Sequence, residues 1–283
     1  MPPADPSPRA PAPEPLPSPV TDTHCHMDIA RGTDSSWAEP QEALGAAAAV
    51  NVTRVVQIGC DLPGAKWAVT AARRFPSVVA GVALHPNEAP RLAARGLLDD
   101  ALSEIDRLAG SSDRVRAVGE TGLDYYRTGA DGHAAQEASF RAHIEMAGRN
   151  EKTLVIHDRD AHADVLRILD DETPPDRVVF HCFSGDADMA RHCAARGWFV
   201  SFAGPVTFAN AGPLRRALAA TPLDRVLVET DAPFLTPHPH RGKPNASYLV
   251  PLTVRTMADV LGKDLEALCI ALQRNTDAAL GPW

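Results

Sequence analysis

The stretch Val20-Thr21-Asp22-Thr23-His24-Cys25-His26 is a short β-branched run that ends in two histidines. Successive side chains of a strand point to opposite faces, so His24 and His26 share one face and can approach one metal ion. Cys25 then points the other way, toward a layer of helices, and is predicted to be a small buried hydrophobe. The same is predicted for Cys182, which also follows a strand-end histidine. The pair of His24 and His26 is also compatible with two structural histidines. The rest of the chain therefore decides whether it belongs to a metal site.

Short apolar runs recur along the chain and alternate with segments rich in Ala, Leu and Arg, which is typical of strand–helix units around a parallel sheet. The predicted strands cover residues 20–26, 54–59, 78–85, 115–122, 153–157, 177–183, 198–204 and 225–231. The predicted helices cover residues 41–50, 64–74, 97–108, 134–149, 161–169, 188–196 and 214–220, with one or two more after Tyr248. Eight strands, each followed by a helix, predict an α/β fold of the (β/α)8 or TIM-barrel type.

An open doubly wound sheet is the structural alternative. That fold would carry a glycine-rich phosphate loop after an early strand. The sequence contains neither GxGxxG nor GxxxxGK followed by Ser or Thr. The barrel is therefore favoured.

The composition fits one large globular domain. The chain has 283 residues, of which 45% are hydrophobic and 23% charged, enough for a sizeable core. Residues 1–19 alternate Pro with Ala, Ser and Glu, and are predicted to form an extended or disordered tail. The barrel domain is expected to cover residues 20–283.

Charge and cysteine content narrow the function classes. The net charge of −8 provides no overall positive field for long nucleic acid, so any nucleic-acid site is expected to be local. The five cysteines have no CxxC spacing, which favours reduced thiols and a cytoplasmic location. No signal-peptide pattern and no apolar run of the ~20 residues that span a bilayer is present, so no membrane partner is expected. A monomer is the default expectation for the assembly.

Polar side chains end most of the predicted strands. They are His24, His26, His85, Glu120, His157, His181 and Asp231. The carboxyl ends of all strands meet at one mouth of a parallel barrel, so these side chains are expected to converge. Their number exceeds the three or four protein ligands of one catalytic zinc, which predicts two metal ions with Glu120 between them. Two-metal centres activate water and clamp the reacting oxygens, so hydrolysis is the expected reaction class.

Seven motifs extend this pattern from Thr21 to about Leu280. They are DTHCHMD at 22–28, LHP at 84–86, VGETGLDYY at 118–126, IHDRDA at 156–161, HCFSG at 181–185, ETDAP at 229–233 and RGK at 241–243. In this order they resemble the TatD-family metal-dependent deoxyribonucleases, within the amidohydrolase-like barrel superfamily. The resemblance implies the TIM-barrel fold and two divalent metal ions per subunit.

The resemblance also implies roles for individual residues. The implied ligands are His24, His26 and Asp231 for one ion, His157 and His181 for the other, and Glu120 for both. Asp231, Glu120 and His85 are expected to act in catalysis. Asn87 stands where many relatives have a second histidine, which weakens the expectation of a third metal near His85. Magnesium is the ion that the family favours, whereas histidine-rich ligation favours zinc, manganese or nickel.

The expected activity is hydrolysis of phosphodiester bonds in DNA. Because the chain is acidic overall, we expect an exonuclease that acts on single-stranded ends rather than on a long duplex. Side chains predicted to contact the substrate are Arg159, Arg127, Arg241 and Lys243 through phosphate oxygens, and Tyr125 through a stacked base. Tyr126 and Phe183 are further candidates for stacking.

Two other functions remain open. A metal-activated water attacks carbonyls as readily as phosphorus, so the chain is also compatible with an ester or amide hydrolase, for example an aminoacyl-tRNA deacylase. The more distant alternative is a noncatalytic, metal-dependent nucleic-acid-binding module.

Overall fold

A computed structural model describes residues 9–29 and 39–283 of the chain. Eight strands form one sheet in chain order, and each is parallel to its neighbour. The strands are β1 (Val20–Cys25), β2 (Val52–Gly59), β3 (Val78–Val82), β4 (Val115–Asp124), β5 (Thr153–Arg159), β6 (Val178–Phe180), β7 (Phe199–Phe202) and β8 (Val226–Val228). The described α-helices are α1 (Pro40–Ala48), α2 (Leu62–Arg74), α3 (Glu88–Ala93), α4 (Leu98–Ala109), α5 (Ala130–Arg149), α6 (His162–Asp171), α7 (Ala187–Ala195), α8 (Gly212–Ala220), α9 (Val250–Leu261) and α10 (Leu265–Leu280).

The (β/α)8 prediction is confirmed, and two details differ from it. Strands β6, β7 and β8 contain only 3, 4 and 3 residues, so several polar residues predicted to end strands lie in the following loops. Helix α3 was not predicted, because its six residues are too few to show a helical period and include Pro90. Both helices after Tyr248, α9 and α10, are present.

The barrel closes where β8 meets β1. The Asp231 N–H donates to the His24 carbonyl at 2.9 Å, and the His26 N–H donates to the Ala232 carbonyl at 2.7 Å. Asp22, fully buried, accepts from the Thr230 N–H at 2.9 Å and from its hydroxyl at 2.6 Å. The same contacts that close the sheet therefore hold the histidines of β1 beside Asp231.

An apolar cluster fills the lower part of the barrel interior. Its members are Val56, Ile58, Val79, Ala117, Val155, Val179, Phe199 and Leu227, with Ala279, Leu280 and Trp283 of the C-terminal segment packed against them. Four residues of the mouth each come two positions after a member of this cluster. They are Cys60, His157, His181 and Glu229. The polar side chains of the mouth therefore come directly after the apolar layer along these four strands.

Residues 9–19 of the predicted extended or disordered tail form no helix or strand, and they pack against the barrel. Residues 1–8 lie outside the described part of the chain. Leu16 is buried, its N–H donates to the Val50 carbonyl at 3.2 Å, and its carbonyl accepts from the Asn51 side chain at 2.5 Å. The Tyr248 hydroxyl donates to the Ala10 carbonyl at 2.5 Å. Prolines prevent a helix here, but the carbonyl groups of an extended segment still accept bonds from the barrel.

Within residues 9–29 and 39–283, no helix combines the length and apolar character that crossing a membrane requires.

Helix α5 supports the loop after β3 through a buried histidine. The Leu84 N–H donates to His143 Nε2 at 3.1 Å, while His143 Nδ1 lies 2.6 Å from the Ser139 carbonyl, to which it donates. Both ring nitrogens are thus used by a neutral imidazole. Burial lowers the pKa of His143 from 6.5 to about 4.

We predict that replacing Asp22 by Ala lowers the free energy of unfolding by about 3 kcal/mol, because the Thr230 N–H and hydroxyl then lose a charged acceptor in a buried site. Chemical denaturation of the two proteins measures the difference. Asp22→Asn is the control, since it keeps an acceptor oxygen and should lose less. Equal stability of Asp22→Ala and the parent protein would contradict the proposed closure.

The pH dependence of stability provides a second prediction. Because the folded-state pKa of His143 lies below its unfolded value of 6.5, the unfolded chain binds more protons between pH 6.5 and about 4, and stability is lost as pH falls through this range. The loss from this group is up to about 3 kcal/mol. Denaturation curves of the parent protein and of His143→Gln, measured at several pH values, isolate the contribution of His143. If the free energy of unfolding depends on pH identically in the two proteins, the prediction is refuted.

Candidate metal centre

The residues predicted to bind metal lie together at the carboxyl ends of the strands. His24, Glu120 and His157 belong to β1, β4 and β5, whereas His26, His181 and Asp231 follow β1, β6 and β8 within three residues. A Cβ atom on Gly119 would lie 2.4 Å from the Val155 Cβ, so only glycine lets β4 pack this closely against β5. That close approach places Glu120 beside His157.

Glu120 lies between two pairs of histidines. Its Oε2 is 2.7 Å from His181 Nε2 and 3.0 Å from His157 Nδ1. Its Oε1 is 3.5 Å from His26 Nε2 and 3.7 Å from His24 Nε2. Each carboxylate oxygen therefore faces one pair, which is the arrangement that a carboxylate shared by two ions requires.

Among the described residues, three groups of side chains could each hold a metal ion, because the potential ligand atoms within each group all lie within 4.8 Å of one another. They are His24, His181 and Asp231; His24, His26 and Glu120; and His85, Glu120 and His157. Asp231 Oδ1 is also 3.3 Å from His26 Nε2. The six predicted ligands are thus brought together, but His181 groups with His24 and Asp231 as well as contacting Glu120. The division of ligands between two ions stays a prediction.

His85 belongs to the same cluster. Its ring centroid is 4.5 Å from that of His157, and its Nδ1 accepts from the Asn87 N–H at 3.1 Å. Burial lowers the pKa of His85 to about 3, so the imidazole is neutral. Its predicted catalytic role is not tested by this position, but a neutral imidazole beside Glu120 is a suitable ligand or hydrogen-bond partner.

The donor set fits a cation. His24 is fully buried, and neither of its ring nitrogens has a hydrogen-bond partner. Leaving a buried polar group unpaired costs about 1–3 kcal/mol, and a metal ion would supply the missing partner. Burial also lowers the pKa of His24, which favours the neutral form that binds metals.

The carboxylates of the centre are held ionised. Burial raises the pKa of Glu120, but the His181 charge and hydrogen bonds from His157 and His181 bring it well below the ordinary value. Burial also raises the pKa of Asp231, but the hydrogen bond with His26 and the charges of the neighbouring histidines together lower it below the ordinary value. Buried negative charge of this density requires positive charge close by, from protons on the histidines or from cations.

Two buried carboxylates at the centre were not among the predicted site residues. Glu229 is fully buried, and its Oε1 accepts from the Cys182 N–H at 2.7 Å and lies 3.2 Å from His181 Nδ1. Asp124 Oδ2 lies 3.3 Å from His157 Nε2 and accepts from the Asn87 amide at 3.1 Å. A usable signal for Glu229 was its spacing of two from Asp231, which suggests a shared face.

The predictions for Cys25 and Cys182 have different outcomes. Cys25 is buried against Val55 and Ala232, as predicted. Cys182 is only partly buried and has a φ of 40°, because β6 ends at Phe180 and strand alternation does not extend to it. Its prediction as a buried hydrophobe on the helix side is wrong. Cys60, to which no role was assigned, has its Sγ 3.2 Å from Glu120 Oε1.

The predicted substrate contacts lie around the mouth, and several have partners of their own. The Arg159 and Arg241 guanidinium groups each lie 4.0 Å from an aromatic ring centroid, those of Tyr126 and Phe208. Arg127 is exposed, and Lys243 is partly exposed. Their roles toward a substrate stay predictions.

Two aromatic candidates for base stacking are already engaged. The Tyr125 hydroxyl donates to Asp164 at 3.0 Å, and its ring stacks on His133 at 3.7 Å. Phe183 is buried and packs against Phe202, which favours a role in core packing over base stacking. Tyr126, in contrast, is 65% exposed.

Known proteins resemble this chain over nearly its whole length. It is 42% identical over 267 residues to an uncharacterized metal-dependent hydrolase, TatD, of Mycobacterium tuberculosis, covering 93% of this chain and 98% of that protein. It is 38% identical over 252 residues to the uncharacterized metal-dependent hydrolase YcfH of Escherichia coli, covering 88% and 91%.

Solved structures share the fold. A TatD homologue of Escherichia coli, YJJV, superposes with a TM-score of 0.84 at 23% identity, covering 93% of this chain and 98% of that one. An uncharacterized amidohydrolase of Saccharomyces cerevisiae superposes with a TM-score of 0.78 at 16% identity, covering 93% and 100%. A family model described as TatD related DNase matches residues 21–281. The chain therefore belongs to the TatD-related family.

Proposed function

We propose that this protein is a divalent-metal-dependent hydrolase that cleaves phosphodiester bonds in DNA and acts on single-stranded ends. The observation that carries the proposal is the buried Glu120 carboxylate between two pairs of histidines. Membership of the TatD-related family supports it, as do the two relatives named as metal-dependent hydrolases.

The side chains of the mouth have two proposed roles, metal binding and proton uptake. The residues that would hold two divalent ions are His24, His26, His157, His181, Glu120 and Asp231. When bound, such ions supply Lewis-acid activation of water and of the phosphate oxygens. Asp231 has a side chain 14% exposed, is ionised, and is thus the carboxylate best placed to take up a proton from water that enters the mouth.

Glu229 orients His181 through the ring nitrogen Nδ1. A carboxylate at Nδ1 fixes the proton on that nitrogen and leaves Nε2 to face Glu120 and a cation. Burial lowers the pKa of His181, but Glu120 and Glu229 raise it well above the ordinary value. Without a cation, a proton on this ring therefore compensates the two carboxylates.

The choice of substrate rests on charge. Arg159 is the last residue of β5 and Arg241 lies in the segment between β8 and α9, and the guanidinium groups of both match phosphate oxygens in geometry. They form local cationic positions on a chain of net charge −8, which favours a short single-stranded end over a long duplex track.

We predict that Glu229→Ala weakens binding of Mn²⁺ or Zn²⁺ by about 10- to 100-fold, because His181 loses the partner that orients it. Isothermal titration calorimetry on the metal-free protein measures the change. Glu229→Gln keeps an acceptor for His181 and should bind more tightly than the Ala variant. Unchanged metal affinity in Glu229→Ala would show that Glu229 does not orient a ligand.

End-labelled single-stranded oligonucleotide, supplied with Mg²⁺, Mn²⁺ or Zn²⁺ in separate reactions, tests the activity. We expect stepwise release of nucleotides that stops when the metal is chelated. Asp231→Asn should lower the rate by at least about 100-fold because it removes a ligand and proton acceptor. Asp188→Asn, which alters an exposed carboxylate on α7, should leave the rate unchanged.

Aminoacyl-tRNA is the comparison substrate for that experiment. Release of the amino acid without any cleavage of DNA would overturn the proposal and assign the centre to ester hydrolysis. DNA binding without turnover at saturating metal would point to a binding module instead.

A further inference from the structure

One of the exposed large apolar side chains lies beside the metal centre. Among the described residues, those exposed by more than a third are Leu97, Tyr126, Phe234 and Ile270. Phe234 is 39% exposed, and its ring centroid lies 6.3 Å from that of His26 at an interplanar angle of 63°. A partly exposed aromatic ring therefore lies next to a candidate metal ligand.

The backbone holds this ring in place. The Phe234 N–H donates to the Asp231 carbonyl at 2.9 Å. The Phe234 carbonyl accepts from the Asn245 side-chain amide at 2.6 Å, and the same amide donates to the Thr230 carbonyl at 3.0 Å. Asn245 is itself buried. The backbone of Phe234 is therefore tied directly to Asp231 and, through Asn245, to Thr230, so the segment that carries the ring is held beside the centre and is preorganised for a ligand.

Other aromatic rings around the mouth are less suited to receive a planar ligand. Tyr125 stacks on His133, and Arg241 covers Phe208. Tyr126 is exposed, but Arg159 covers one of its faces, and it follows β4, whereas Phe234 follows β8. Phe234 is thus the ring that adjoins the Asp231 side of the centre.

We infer that Phe234 is the stacking platform for a nucleobase, the one next to the phosphate held at the metal centre. The inference rests on the proposed function and names the part of the substrate that this side chain recognises. A base is separated from its own phosphate only by the sugar, so a phosphate at Asp231 brings a base within reach of Phe234. Every base has a π face, so stacking here accepts any sequence, as single-stranded sites commonly do.

Binding of short oligonucleotides tests the inference without relying on turnover. The probes are a single-stranded oligothymidine with phosphorothioate linkages and two versions that lack the base at the terminal or the penultimate nucleotide. Affinities are measured by fluorescence anisotropy in Mg²⁺ for the parent protein, Phe234→Ala, Phe234→Tyr and Ile270→Ala. Ile270 is 56% exposed on α10 and controls for truncation of an exposed apolar side chain.

We expect Phe234→Ala to bind the complete oligonucleotide about 5- to 150-fold more weakly, while Phe234→Tyr and Ile270→Ala bind like the parent protein. The loss should disappear for the probe that lacks the stacked base. An equal loss on all three probes, or no loss on any, would overturn the inference, as would failure of the parent protein to bind. Phe234-dependent binding without cleavage of ordinary DNA would support the stacking site and overturn the hydrolase proposal.

Discussion

The carboxylate of Glu120, buried among imidazole nitrogens, is the interaction on which the rest of the centre depends. An isolated ionised carboxylate in an apolar barrel is costly unless positive charge compensates it. Four histidine nitrogens within 3.7 Å surround it, and the ring nitrogens of one of these histidines, His24, have no hydrogen-bond partner. Protons can supply part of the missing charge, but cations satisfy the carboxylate and the unpaired nitrogens together. The side chains of the polar mouth therefore fit a metal site, in which a cation would supply the partner that the His24 nitrogens lack.

The barrel and the centre are built by the same contacts. Asp22 bonds Thr230, and the backbones of His24 and His26 bond Asp231 and Ala232, so closing the sheet also sets the distance between ligands from opposite ends of the chain. The apolar cluster that contains Ile58, Val155 and Val179 lies below the centre. At that open side lies the ring of Phe234, tied to the same β8–β1 junction.

The sequence predicted the eight-stranded barrel because each strand is a separate β-branched run, and it predicted that the candidate ligands converge because polar residues end those runs. Alternation within a strand also placed Cys25 correctly. The same rule failed for Cys182, since β6 stops two residues earlier and the backbone there leaves the extended region. Glu229 and Asp124 were missed as partners of His181 and His157, because periodicity gives a face of a strand but not the contacts between strands. The packing of residues 9–19 was missed for a related reason: composition reports that the segment cannot form a helix, not that neighbouring side chains bind its carbonyl groups.

The claim that this cluster is a divalent metal centre is tested most directly by anomalous diffraction from crystals grown with Mn²⁺ or Zn²⁺. We predict two anomalous peaks, one on each side of Glu120, within bonding distance of the histidine nitrogens and Asp231. A crystal grown with saturating metal that shows no anomalous peak at these side chains, and shows hydrogen bonds between His24 and its neighbours instead, would contradict the assignment of a metal centre.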